Sequence, residues 1–122
     1  MATIELTGDN LDSTIKENDF VLIDFWASWC RPCVMFGPVF EEASEKHTDM
    51  VFAKCDTQAQ QEVAGSFGVT SIPTLAIFRE QVMVFKQAGA LPPEALEELI
   101  TKVKELDMDD VRKKIAEEES KK

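Results

Sequence analysis

The chain has 122 residues, 44% of them hydrophobic and 30% charged, which is enough for one domain with a substantial core. Its 23 acidic residues against 13 basic ones leave a formal net charge of -10. That balance argues against partners such as nucleic acid or an anionic membrane face, both of which need a basic surface. Three cysteines are too few for a disulfide-built scaffold and leave one unpaired.

Met1 to Leu6 carries neither the basic region nor the apolar stretch of a secretion signal. No apolar run approaches the roughly 20 residues that span a bilayer. A cytoplasmic protein is the expectation. Ile4 and Leu6 alternate with polar residues in a short strand pattern. Asp9 or Asn10 is placed to cap a helix through Leu11 and Ile15 to Lys16. Phe20 to Trp26 is apolar at every position but Asp24, the mark of a strand buried on both faces. Pro32 to His47 has helical spacing in Met35, Phe36, Val39, Phe40 and Ala43, with Pro38 expected to kink it.

Met50 to Asp56 reads as another strand, and Gln58 to Gly65 as a short helix ended by Gly65 or Gly68. Thr74 to Phe78 and Val82 to Lys86 form a hairpin pattern around Arg79-Glu80-Gln81, a turn with no glycine. Pro92 or Pro93 then opens an amphipathic helix through Leu96, Leu99, Ile100, Val103 and Leu106. This order predicts an α/β fold: a central mixed five-stranded sheet flanked by about four helices, over residues 1–106. Residues 107–122 are a charged extension, read as a solvated and partly frayed helix. Asp107 is its cap, and Met108, Val111 and Ile115 make a thin apolar stripe.

The chemistry centres on Trp29-Cys30-Arg31-Pro32-Cys33, at the junction of the second strand and the following helix. A helix start favours a thiolate, because unpaired N–H groups and the helix dipole point at it. The thiolate is the species that attacks disulfides. Zinc is the competing use of such a pair, and it needs about four ligands. Beyond Cys30 and Cys33 the chain offers only Cys55 and His47. His47 ends the same helix roughly 20 Å from Cys33 at 1.5 Å per residue, so no metal is expected. Asp24, alone among apolar neighbours, is costly to bury charged, and burial raises its pKa.

The stretch from Phe25 to Cys33 resembles the active site of the thioredoxin family, usually W-C-G-P-C. Asp24, Pro38, Lys54, Ile72-Pro73-Thr74 and Ala88-Gly89-Ala90 fall where a thioredoxin has matching residues. The resemblance covers about residues 3 to 106. It implies a protein-disulfide reductase in which Cys30 attacks the substrate disulfide and Cys33 resolves the mixed disulfide. Cys30 is expected to be the more exposed of the two. Asp24 then assists proton removal from Cys33, and Lys54 tunes Asp24. Pro73 matches the family's cis-proline, which sets the Ile72 backbone opposite Cys30 so that an extended substrate segment adds as a strand. Trp29, Arg31, Pro32, Ile72, Ala88 and Gly89 join Pro73 as substrate-binding positions, and Trp26 packs beneath them. Cys55 reads as a small buried hydrophobe.

The resemblance also implies no bound cofactor beyond the Cys30–Cys33 disulfide. Electrons would come from NADPH through a flavin-containing thioredoxin reductase, and the substrates would be varied disulfide-containing proteins acted on by a monomer. Arg31 departs from the family glycine. Its guanidinium should favour the Cys30 thiolate and make the pair modestly more oxidising. Val34 replaces a frequent lysine. Competing readings are an oxidase or isomerase of secreted proteins, and a thioredoxin-fold structural or binding subunit. The absence of a signal segment and the Arg-Pro dipeptide disfavour the first. The joint presence of both cysteines, Asp24 and Pro73 disfavours the second.

Overall fold

The computed structural model describes residues 2–121. Five strands, β1 (Thr3–Glu5), β2 (Phe20–Trp26), β3 (Val51–Asp56), β4 (Thr74–Arg79) and β5 (Val82–Ala88), form one sheet in the order β1-β3-β2-β4-β5. The first three pair in parallel, and β4 and β5 run antiparallel. The helices are α1 (Leu11–Glu17), α2 (Arg31–Lys46), α3 (Gln61–Ser66), α4 (Pro93–Lys104) and α5 (Met108–Ser120). The mixed five-stranded sheet with four helices and a helical extension is the architecture expected from the sequence.

Strand parity divides the core in two. On one face Leu22, Phe52, Leu75 and Ile77 meet Phe36 and Phe40 of α2 and Leu96 and Ile100 of α4. On the other, Val21, Ile23, Phe25, Ala53 and Cys55 pack with Leu6, Val63 and Ala64. Each fully buried Phe, Leu or Ile contributes about 2 kcal/mol from apolar burial. Asp24 and Lys54 share parity with Leu22 and Phe52, so both belong to the α2 face.

Several local details differ from the sequence expectation. Asn10 stands at the N-cap of α1 but makes no side-chain cap bond. Its side chain turns back, accepting from the Thr7 N–H at 2.7 Å and donating to the Glu5 carbonyl at 2.8 Å. Helix α3 starts at Gln61 rather than Gln58. Asp56 Oδ1 accepts from the Gln58 and Ala59 N–H groups at 2.9 and 3.3 Å, holding those residues in a turn that competes with the helix. Gly65 lies inside α3, and Gly68, at φ +65°, follows its end. Pro38 removes one ladder bond, yet α2 continues through it.

The hairpin turn is made without glycine: Glu80 and Gln81 both take positive φ, 50° and 70°, as a two-residue turn between twisted strands requires. A register shift between Ile77 and Phe78 lets Val84 and Phe85, adjacent in β5, both lean on the same core. Leu106 is not part of the apolar stripe of α4. That helix ends at Lys104 and Leu106 is 38% exposed.

The extension is a regular helix whose first turn is tied to the body. The Asp107 carboxylate accepts from the Asp109 and Asp110 N–H groups. Met108 is 4% exposed, and Arg112 donates to Glu80 at 2.9 Å. Ile115 is exposed. The apolar stripe is thus covered at its start and open toward its end.

Candidate active site

The strand parity that builds the core also builds the site. β2 ends at Trp26, the chain turns through Ala27-Ser28-Trp29, and α2 begins at Arg31 with Cys30 as its N-cap. The Cys33 N–H donates to Cys30 Sγ at 3.2 Å, and Cys30 and Cys33 are joined as a disulfide. Pro32 falls in the first turn of the helix, where a missing N–H costs nothing.

Ile72–Pro73 is a cis peptide, and the Ile72 carbonyl oxygen lies 3.7 Å from Cys30 Sγ. The Gly89 N–H donates to the Pro73 carbonyl at 2.8 Å, with Gly89 at φ +116°, a backbone conformation that side chains rarely allow. Thr74 pairs with Ala88. These contacts bring residues 72–74 and 88–89 against the disulfide.

Cys30 and Cys33 are 4% and 3% exposed, so the expected difference in exposure between them is absent. Their surroundings differ instead. Cys30 faces the Ile72 carbonyl beside Trp29, which is 68% exposed. Cys33 lies one turn into α2, on the face that continues through Gly37 to Glu41 at four-residue intervals.

That face covers the polar pair of the sheet. Asp24 and Lys54 are register partners on β2 and β3. Asp24 is fully buried, and neither carboxylate oxygen has a hydrogen-bond partner among the described residues. Burial pushes its pKa from 3.8 up to about 7, with the Lys54 charge pulling the other way. Lys54 Nζ sits 5.1 Å from the centroid of the Trp26 ring and 3.8 Å from Glu41 Oε1. A Cβ on Gly37 would approach that ammonium to 3.6 Å.

Glu41 and Gly37 were not singled out from the sequence. The available signal was their spacing, eight and four residues beyond Cys33 on one helical face. A cleft of about 350 Å³ lined by Thr3, Ile4, Glu5, Trp26, Lys54 and Asp56 opens beside the Lys54 amine. Trp26 packs against the disulfide with Ala27 and Ile72.

Cys55 is fully buried in the opposite core. Burial, then Asp56 and Asp24, push its thiol up to about 11, which suits an inert hydrophobe. His47 contacts Glu97 at 2.8 Å, joining the end of α2 to α4. Among the described residues no group of three or more His, Cys, Asp or Glu is arranged to hold a metal ion, and no helix is long and apolar enough to cross a membrane.

A helix-capping cysteine pair, a peptide edge beside it and, on the sheet face under the same helix, a buried carboxyl with no partner among the described residues define a thiol–disulfide oxidoreductase. Comparison with known proteins gives the family. The thioredoxin family model matches residues 2–102. A Streptomyces coelicolor protein described as "Putative thioredoxin 2" is 57% identical over 119 residues, covering 98% of this chain and 89% of that protein. Bacillus subtilis thioredoxin is 41% identical, covering 84% and 98%. Among solved structures, a single-site mutant of thioredoxin from Halobacterium salinarum superposes with a TM-score of 0.79 at 38% identity, covering 86% of this chain and 93% of that one. The chain belongs to the thioredoxin family, and its activity is protein-disulfide reduction through a redox-active cysteine pair that needs no bound cofactor. The Streptomyces match runs into α5, whereas the family model stops within α4.

Proposed function

We propose that the reduced protein attacks substrate disulfides through Cys30 and resolves them through Cys33. Cys30 Sγ⁻ attacks one sulfur of the substrate disulfide, forms a Cys30–substrate disulfide and expels the other substrate sulfur as thiolate. Cys33 gives up its proton to Asp24, and its thiolate attacks Cys30 Sγ. The second substrate sulfur leaves, and the Cys30–Cys33 disulfide remains. Two electrons and two protons pass to the substrate, the protons reaching it through solvent.

The observation that carries this reading is Asp24: a fully buried carboxyl with no partner among the described residues, behind the disulfide, with a pKa near 7. A carboxyl tuned to that range accepts and returns a proton at neutral pH. Lys54 holds Asp24 from rising further, and the Lys54 side chain itself borders the open cleft.

Trp29, Arg31, Pro32, Ile72, Pro73, Ala88 and Gly89 form the substrate-binding face, where the Ile72 backbone pairs with an extended segment. A flavin-containing, NADPH-dependent thioredoxin reductase returns the disulfide to the dithiol. The protein works as a monomer in the cytoplasm on varied protein disulfides. Residues 1–106 form the catalytic domain and 107–122 an appendage to it.

Insulin reduction with dithiothreitol tests the roles. Cys30→Ser should abolish turnover. Cys33→Ser should still attack and should accumulate a mixed disulfide, visible as a mass shift lost on reduction. Wild-type turnover in Cys30→Ser would end the assignment. Turnover driven by NADPH and a purified reductase tests the electron source.

A further inference from the structure

The chain is 30% charged, yet the segments that meet at the disulfide are nearly free of charge. Four segments meet there: residues 27–36, 57–60, 69–74 and 87–92. Their meeting is shown by the Thr57 N–H on the Trp26 carbonyl, the Gly89 N–H on the Pro73 carbonyl and the contact of Cys30 with Ile72. Arg31 is the only charged residue in them. It is exposed, and no carboxylate among the described residues lies within ion-pair distance of it. Trp29, Val34 and Met35, which flank it in the sequence, are 68%, 59% and 69% exposed. The result is an otherwise uncharged surface, apolar at Trp29, Val34 and Met35, with one unneutralised guanidinium, one residue from the attacking sulfur.

We infer that Arg31 is a specificity-determining residue that selects disulfides lying in apolar segments with a carboxylate beside the reacting cysteine. The inference rests on the proposed exchange at Cys30 and leaves its chemistry unchanged. A substrate carboxylate next to the disulfide meets a guanidinium free to pair with it. A substrate lysine there meets a like charge. The apolar surroundings repel neither but reward only uncharged flanks. The rest of the molecule pulls the opposite way, since a net charge of -10 attracts cationic peptides at long range. The two effects therefore predict opposite orders of preference, and screening beyond about 8 Å at physiological salt leaves the near charge in control.

The experiment uses three disulfide peptides identical except for glutamate, glutamine or lysine beside the cysteine. Reduction by the fully reduced protein is timed at physiological and at roughly molar salt. Each rate is divided by that of the same peptide with dithiothreitol, which removes the effect of the neighbour on the disulfide itself. The glutamate peptide should be reduced about five-fold faster than the lysine peptide at physiological salt, with glutamine between them, and the ratio should approach one at molar salt. In Arg31→Gln the ratio should fall to one or below, because only the net charge remains. A lysine preference in the wild type, or a glutamate preference that survives in Arg31→Gln, overturns the inference while leaving the exchange mechanism standing. Failure to reduce any peptide removes the exchange mechanism and the inference with it.

Discussion

Asp24→Asn should shift the stability of the oxidised protein relative to wild type in the variant's favour as pH rises. Burial raises the Asp24 carboxyl from 3.8 to about 7. Between those values the folded protein keeps a proton that the unfolded chain has released. Stability from this group is therefore fully present below pH 3.8, is lost as pH rises to about 7, and stays lost above. The shift of about three units corresponds to about 4 kcal/mol once Asp24 is ionised. Some of this is already lost at pH 5, so the wild type should lose about 3 kcal/mol between pH 5 and pH 9. The variant should lose nothing through this position. Its buried amide has no better partners than the carboxyl had, which costs about 1–3 kcal/mol at every pH, so the informative quantity is the slope and not the offset. Urea unfolding of both oxidised proteins at pH 5, 7 and 9 reads it directly. The difference, variant minus wild type, should rise by about 3 kcal/mol from pH 5 to pH 9, most of it below pH 7.5. A gap constant to within about 0.5 kcal/mol would mean that Asp24 ionises in the folded protein much as it does unfolded, and the burial argument would fail.

Three further outcomes bear on the same frame. Glu41 neutralises part of the Lys54 charge at 3.8 Å, so Glu41→Gln should lower the pKa of Asp24 and move the neutral-pH limb of the reduction rate to lower pH. Lys54→Met should move that limb upward, and shifts in the same direction would refute the coupling of Glu41 to Asp24 through Lys54. Arg31→Gly should lower the reduction potential by at most about 30 mV, the equivalent of one unit of thiolate pKa; equilibration with glutathione measures it, and an equal or higher potential would show that the guanidinium does not act on the pair. Gln81→Gly should stabilise the fold by about 1 kcal/mol in thermal unfolding, because Gln81 holds φ 70° in the hairpin turn where glycine carries no steric penalty.

What the sequence makes visible here depends on how local the cause is. β2 is legible because a strand covered on both faces must be apolar throughout, and its one exception, Asp24, stands out for that reason. The Cys-x-x-Cys pair is legible because its chemistry needs a helix start, which Pro32 marks. The late start of α3 is hidden because it turns on one oxygen, Asp56 Oδ1, choosing two backbone N–H groups over solvent. The burial of Met108 is hidden because a stripe of three apolar residues does not say which of them finds a surface. Glu41 is hidden for a deeper reason. Nothing near residue 41 refers to residue 54. They meet because β2 and β3 pair in a register that sets Asp24 beside Lys54, and because even-numbered residues of both strands face α2. A slip of one residue in that pairing would turn Lys54 to the opposite core and leave Asp24 without its partner. The tuning of the buried carboxyl is therefore a property of strand register, held in place by Phe52 and Leu22 on the same face, and that packing is part of what would make the proposed proton transfer possible.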